Sequence, residues 1–142
     1  MGRIIGIDYG QKRTGLAVTD PEQRIATVLA SVPSHEVYSF LEDYITREGA
    51  DAFVVGFPRK MNYEPSESAQ YVQAFIKGLE KKFPLVPVYR IDERLTSRMA
   101  VRSLVESGAS KSARRKKENI DAVSAIIILE SWLQQQKFKE LH

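Results

Sequence analysis

Three short apolar, β-branched runs open the chain: RIIGID from Arg3, TGLAVTD from Thr14 and RIATVLASV from Arg24, separated only by YGQKR and PEQ. A crossover between parallel strands needs a dozen or more residues, and neither separator supplies them. The runs therefore predict an antiparallel meander, so the sheet begins with hairpins.

After Pro33 the apolar period changes. Val37, Phe40, Leu41, Tyr44 and Ile45 recur at helical spacing, with Ser34 placed to cap the helix and Gly49 to stop it. AFVVGF, Ala52 to Phe57, is a continuous apolar run, as in a strand covered on both faces. A second amphipathic helix carries Ala69, Val72, Phe75, Ile76 and Leu79 on one stripe and leads through KKFP to a further strand, VPVYRID. A third helix is predicted to begin at Thr96 or Ser97, to bury Ala100, Val101, Leu104 and Val105, and to end at Gly108. The last runs from about Asn119 to Gln135; with Ile120, Val123, Ile127 and Trp132 it is apolar on more than one side and expected to be well buried. The order βββαβαβαα predicts an α/β fold: a five-stranded mixed sheet, an antiparallel meander and then parallel strands, flanked by helices on both faces.

A chain of 142 residues with 43% hydrophobic content has the length and apolar material of one domain, expected to span residues 1–142. With no cysteine there is neither a disulfide framework nor a thiolate zinc site, and a reducing compartment fits. His35 and His142 are far apart and offer no histidine metal site. The N-terminus shows no signal-peptide pattern, and no stretch approaches the roughly 18 apolar residues of a membrane span, so a soluble, cytoplasmic protein is expected. The net charge of +3 permits an anionic partner without demanding one.

If the strands beginning at Arg3, Ala52 and Val86 are parallel neighbours, their carboxyl ends share the sheet edge where ligands of open α/β folds bind. Asp8 ends the first. Asp92 and Glu93 end the last, and alternation of side chains turns one of them toward Asp8's crevice. Asp121 falls in the first turn of the final helix, where the dipole favours an anion. Taken singly, Asp8 reads first as a turn or cap residue, Asp121 as a helix N-terminal acid and Glu93 as half of a surface ion pair with Arg94; their joint placement at one edge is what favours a site. Acids gathered at one edge repel unless a cation intervenes, and oxygen ligands alone suit Mg²⁺ or Mn²⁺. Such ions activate water and stabilise the leaving oxygen in phosphodiester cleavage.

GIDYGQKRTGLAVTD, VVGFPRKMN, VYRIDERLTSRMA and KKENIDAVSAIIILESWL resemble, in order and from about Arg3 to Leu133, the successive signatures of the YqgF family of Holliday-junction-resolvase-like nucleases. The resemblance implies an RNase H-like fold with the first strand central, and an acidic, metal-binding catalytic centre of Asp8, Glu93 and Asp121, leaving Asp92 as the less favoured acid. It further implies a nuclease acting on the 5′ end of pre-16S ribosomal RNA, or on branched DNA in some members. Two segments depart from the pattern: Gln11 stands where the family often has threonine, and NYEPSE replaces a glycine-containing segment. Ser124 stands where junction resolvases of this pattern carry a further acid.

The bases have a matching distribution. KSARRKK places Lys111, Arg114, Arg115, Lys116 and Lys117 just before Asp121; Lys12 and Arg13 follow Gly10, Arg59 and Lys60 follow the middle parallel strand, and Arg94 follows Glu93. As a group they are expected to hold phosphates, which makes binding salt-dependent and carries no sequence reading. For KSARRKK the alternative is a solvated charged loop, and phosphate binding is the favoured reading. Gly6 and Gly10 let backbone pack closely around Asp8. Tyr9, Phe57 and Tyr63 are candidates for base stacking or, more simply, core and rim residues; Trp132 reads as core.

Two other functions fit parts of the pattern. DYGQKRTG also resembles the first phosphate loop of actin-like ATPases and sugar kinases, but those need two such domains. A binding module that has lost turnover would keep salt-sensitive binding without the three acids. Whether the chain acts as a monomer or homodimer is not legible here.

Overall fold

The computed structural model describes residues 2–57, 69–92 and 117–141, with the side chains of the last segment described over 122–139. β1 (Ile4–Tyr9), β2 (Arg13–Thr19) and β3 (Ala26–Pro33) form the meander that their short separators require. The β1–β2 ladder runs from Ile5↔Val18 to Tyr9↔Thr14, and β3 pairs with the outer side of β2. Then follow α1 (Val37–Glu48), β4 (Ala52–Phe57), α2 (Ala69–Lys82), β5 (Val88–Asp92) and α3 (Lys117–Leu141). β4 lies parallel to β1 and β5 parallel to β4, so the sheet order is β3-β2-β1-β4-β5 and β1 is central.

The period-two alternation of the strands sorts side chains into two cores. Ile5, Ile7, Leu16, Val18, Phe53 and Val55 point to α1 and α2, where Val37, Leu41, Val72, Phe75, Ile76 and Leu79 close the larger one. Ile4, Ala17, Ala52, Val54 and Ile91 point the other way, onto Ala125, Ile128 and Leu129 of α3. Each large side chain fully buried here contributes about 1.5–3 kcal/mol. β4 feeds both cores, which accounts for its unbroken apolar run.

Three expectations change. Ser34 does not cap α1: it opens a short 3₁₀ turn, Ser34–Glu36, whose N-cap is Pro33 with no side-chain cap bond. Its hydroxyl is spent elsewhere, as described below. The final helix does not stop at Gln135, because QQQKFKEL contains good helix formers and no breaker, so the helix continues to Leu141 with most of that last part exposed. β5 begins at Val88, later than VPVYRID suggests. Gly49 does stop α1, at φ 78° with its N–H on the Ile45 carbonyl at 2.8 Å. The helix expected between Thr96 and Gly108, and the basic segment after it up to Lys116, lie outside the described residues.

Candidate active site

The carboxyl end of β1 carries the chemistry. Ile5 and Ile7 face α1 and α2; Ile4 and Gly6 face α3, and Asp8, two pleats beyond Ile4, shares their face, half-buried. Its ladder partner on β2 is Gly15. On the other side, one step beyond the Ile7↔Val55 pairing, stands Gly56 of β4. Both lateral neighbours of Asp8 on the α3 face are therefore glycines, and neither fills the space beside the carboxylate.

The helix α3 is set against this face at Gly6. A Cβ there would lie 2.9 Å from the Ala125 carbonyl oxygen and 3.0 Å from Leu129 Cβ, so only glycine admits the helix this close. The direction of α3 follows from its other end: Glu130, Leu133, Gln134 and Lys137 line a cleft with Arg24, which sits in the β2–β3 turn at the edge opposite Asp8. α3 therefore starts at the carboxyl edge of β1. Position 121 lies one turn before Ala125 on the stripe that meets the sheet, and the positive end of the helix dipole is directed to the same edge.

On β5, alternation separates the two acids expected at its end. Tyr89 packs against Trp132 of α3 with ring centroids 5.4 Å apart and planes tilted by 35°, and Ile91 packs in the α3 core. Arg90 turns the other way, donating to Gln73 Oε1 of α2 at 3.2 Å with its guanidinium 5.6 Å above the Phe57 ring. Asp92, two residues after Arg90, takes the α2 face, opposite Asp8. Glu93 lies outside the described residues, as do Arg59, Lys60, Tyr63, Arg94, Lys111, Arg114, Arg115 and Lys116. For Lys117 and Asp121 only the backbone, inside α3, is described. Among the described residues no three ligating side chains come together.

The bases after Asp8 divide. Lys12 is exposed in the β1–β2 turn. Arg13 opens β2 on the face of Asp8, diagonal to it, and commits one guanidinium N–H to the Ser31 carbonyl of β3 at 3.3 Å. Tyr9 is a core residue: it stacks flat on Phe75 of α2, centroids 4.3 Å apart and planes 13° apart, and Tyr38 stacks on the same ring at 5.3 Å. Phe57 lies under Arg90 on the same face, and Trp132 packs against the α3 core. The features that a residue-by-residue reading passes over are Gly15 and Gly56. Their signal is a glycine interrupting each strand beside the one that ends in aspartate.

No described helix is long and apolar enough to cross a membrane. The fold is that of RuvC: two Thermus thermophilus RuvC structures, one of them in complex with a Holliday junction substrate, match at TM-scores of 0.59 and 0.55 and 18% identity. The first covers 96% of this chain and 97% of that one, and this is the RNase H-like architecture. By sequence, a Porphyromonas gingivalis protein is 53% identical over 94% of this chain and 96% of its own length, and a Parabacteroides distasonis protein is 50% identical over 98% and 99%. Each bears the name "Putative pre-16S rRNA nuclease". The family model described as "RuvX: Holliday junction resolvase" matches residues 2–135. With the match spanning both cores and the Asp8 edge, the chain belongs to the RuvX family.

Proposed function

We propose that this chain is a single-domain, metal-dependent endonuclease spanning residues 1–142, which cuts structured nucleic acid and acts in the cytoplasm on the 5′ end of pre-16S rRNA. The observation that carries the reading is Asp8, half-buried between two strand glycines at the edge where α3 begins. In this reading Asp8, Glu93 and Asp121 form the acidic centre.

The residues fit Mg²⁺ or Mn²⁺. Carboxylates without histidine or cysteine, at an edge where both strand neighbours of Asp8 are glycines, suit a hard cation that keeps part of its hydration shell. When bound, such an ion supplies activated water and neutralises charge at the scissile phosphate. The chain's own part is placement. β1, paired on both sides, holds Asp8 rigidly; the start of α3 brings a positive dipole end; Lys12 is free of the core to meet a phosphate. The names of the relatives support a ribosomal RNA precursor. The family's description supports a four-way DNA junction as the second substrate to compare.

The test is Mn²⁺-dependent cleavage of a 5′-extended 16S precursor and of a four-way DNA junction, by the natural protein and by Asp8→Asn. Cleavage should fall on the order of 100-fold or more in the variant. Equal cleavage by both proteins refutes the acidic centre, and the ratio between the two substrates ranks them.

A further inference from the structure

A cluster of buried hydroxyls lies just outside the acidic edge. Thr14 is fully buried and Ser34 nearly so, and their Oγ atoms are 2.8 Å apart. Ser34 Oγ also reaches the Gly10 carbonyl at 2.5 Å, while its backbone N–H donates to the Lys12 carbonyl at 2.8 Å. A serine hydroxyl has one proton and a carbonyl only accepts, so that proton belongs to Gly10 and Thr14 is the donor to Ser34. The relay runs in one direction, from Thr14 through Ser34 to Gly10.

Ser34 thus grips both ends of the turn Gly10–Lys12 that joins β1 to β2. It does so from outside, across 24 residues of sequence to Gly10. The turn passes close to itself at Gly10, where a Cβ would stand 2.6 Å from the Arg13 carbonyl oxygen. Asp8 ends two residues before this turn, and Lys12 is its exposed cation. A lysine ammonium on a flexible four-carbon stem defines a phosphate site only if its backbone is held.

We propose that Ser34, backed by Thr14, is a positioning residue that holds the Gly10–Lys12 turn so that Lys12 meets a phosphate of the nucleic acid beside Asp8. This rests on the reading of the Asp8 edge as a nuclease centre.

The test uses the full chain without divalent metal and a fluorescent 5′-extended 16S leader RNA, with Kd measured across a salt series. Ser34→Ala and Lys12→Ala should each weaken binding about three- to tenfold and flatten the slope of log K against log salt by about 0.7–0.9, the share of one phosphate contact. The double variant should bind no worse than Lys12→Ala alone. Thr14→Val, nearly isosteric but without the donor, should follow Ser34→Ala, while Thr14→Ser restores the slope; this pair also covers the case in which Ser34→Ala fails to fold. A structural role alone would lower melting temperature without touching the slope. An unchanged slope in Thr14→Val, or losses that multiply in the double variant, overturns the proposal. Cleavage by Asp8→Asn is scored separately: loss of coupling with the Asp8 effect intact refutes only Ser34's role, and the reverse refutes only the nuclease centre.

Discussion

Replacing Gly6 by alanine tests whether the spacing between β1 and α3 sets the candidate active site. The new Cβ would stand 2.9 Å from the Ala125 carbonyl oxygen and 3.0 Å from Leu129 Cβ. Favourable carbon contacts begin near about 3.5 Å, so α3 must retreat or tilt by roughly 0.5 Å. Alanine regains about 0.5–1 kcal/mol of the backbone entropy a strand glycine costs. Overpacking a filled core costs about 1–3 kcal/mol. The expected balance is a loss of about 1–2 kcal/mol, or roughly 3–8 °C in melting temperature. The first turn of α3 moves with the helix, and because a misplacement of about 1 Å can cost 100-fold in rate, this shift should cost about tenfold in kcat. Leu79→Ala is the control: Leu79 is fully buried in the opposite core, and its truncation costs about 2–5 kcal/mol without disturbing α3. Thermal melts and cleavage kinetics at a temperature where both variants are folded separate the two effects. Natural melting and natural kcat in Gly6→Ala, or an equal loss of kcat in Leu79→Ala, refute the reasoning.

Two pH dependences of opposite sign follow from the same coordinates. Burial, with Tyr9 alongside, raises the Tyr38 hydroxyl above its ordinary 10.0, and that hydroxyl donates to the Phe75 carbonyl at 3.0 Å. A raised folded pKa contributes stability that is complete below about pH 10 and is lost as pH rises through the folded value. Urea midpoints should therefore fall above pH 10, and Tyr38→Phe should flatten that fall; an identical decline in both proteins contradicts the assignment. Asp20 is held below its ordinary 3.8 by the backbone N–H groups of Ile25 and Arg24, at 3.0 and 2.7 Å from Oδ1. Its contribution to the β2–β3 turn is present above 3.8 and lost as pH falls through the lower folded value. Asp20→Ala should lower the urea midpoint at neutral pH, with the two proteins converging in acid; a constant gap at every pH counts against it.

What could be read from the sequence was what depends on period and length. The short separators forced the meander, the stripe of Val72, Phe75, Ile76 and Leu79 reappears whole in the larger core, and AFVVGF is β4 residue for residue. The edge shared by the parallel strands, and hence Asp8's place, followed from connection rules alone. Ser34 was not legible in the same way. A serine before a helix ordinarily caps it, and only the tertiary return of β3 brings Thr14 and Gly10 within reach of its hydroxyl. Nor was it legible that the register of β2 on β3 gives one guanidinium N–H of Arg13 the Ser31 carbonyl. Long-range partners of this kind are set by register, which a local pattern does not carry.

Register also decides which acid at the end of β5 is available to chemistry. A slip of one residue would exchange the two faces of the strand and turn Asp92 toward Asp8. What resists the slip is packing at several points: Tyr89 lies against Trp132 in a tilted ring pair, Ile91 fills the α3 core, and Arg90 is held by Gln73 and Phe57 on the other side. An aromatic pair worth about 0.5–1.5 kcal/mol beyond its burial is a modest stabiliser of the whole fold. As a pin on a strand that, among the described residues, is hydrogen-bonded on one side only, it carries more consequence than its energy. Trp132 thus reads as a core residue by contact, and by position as part of what keeps Asp92 on the α2 face.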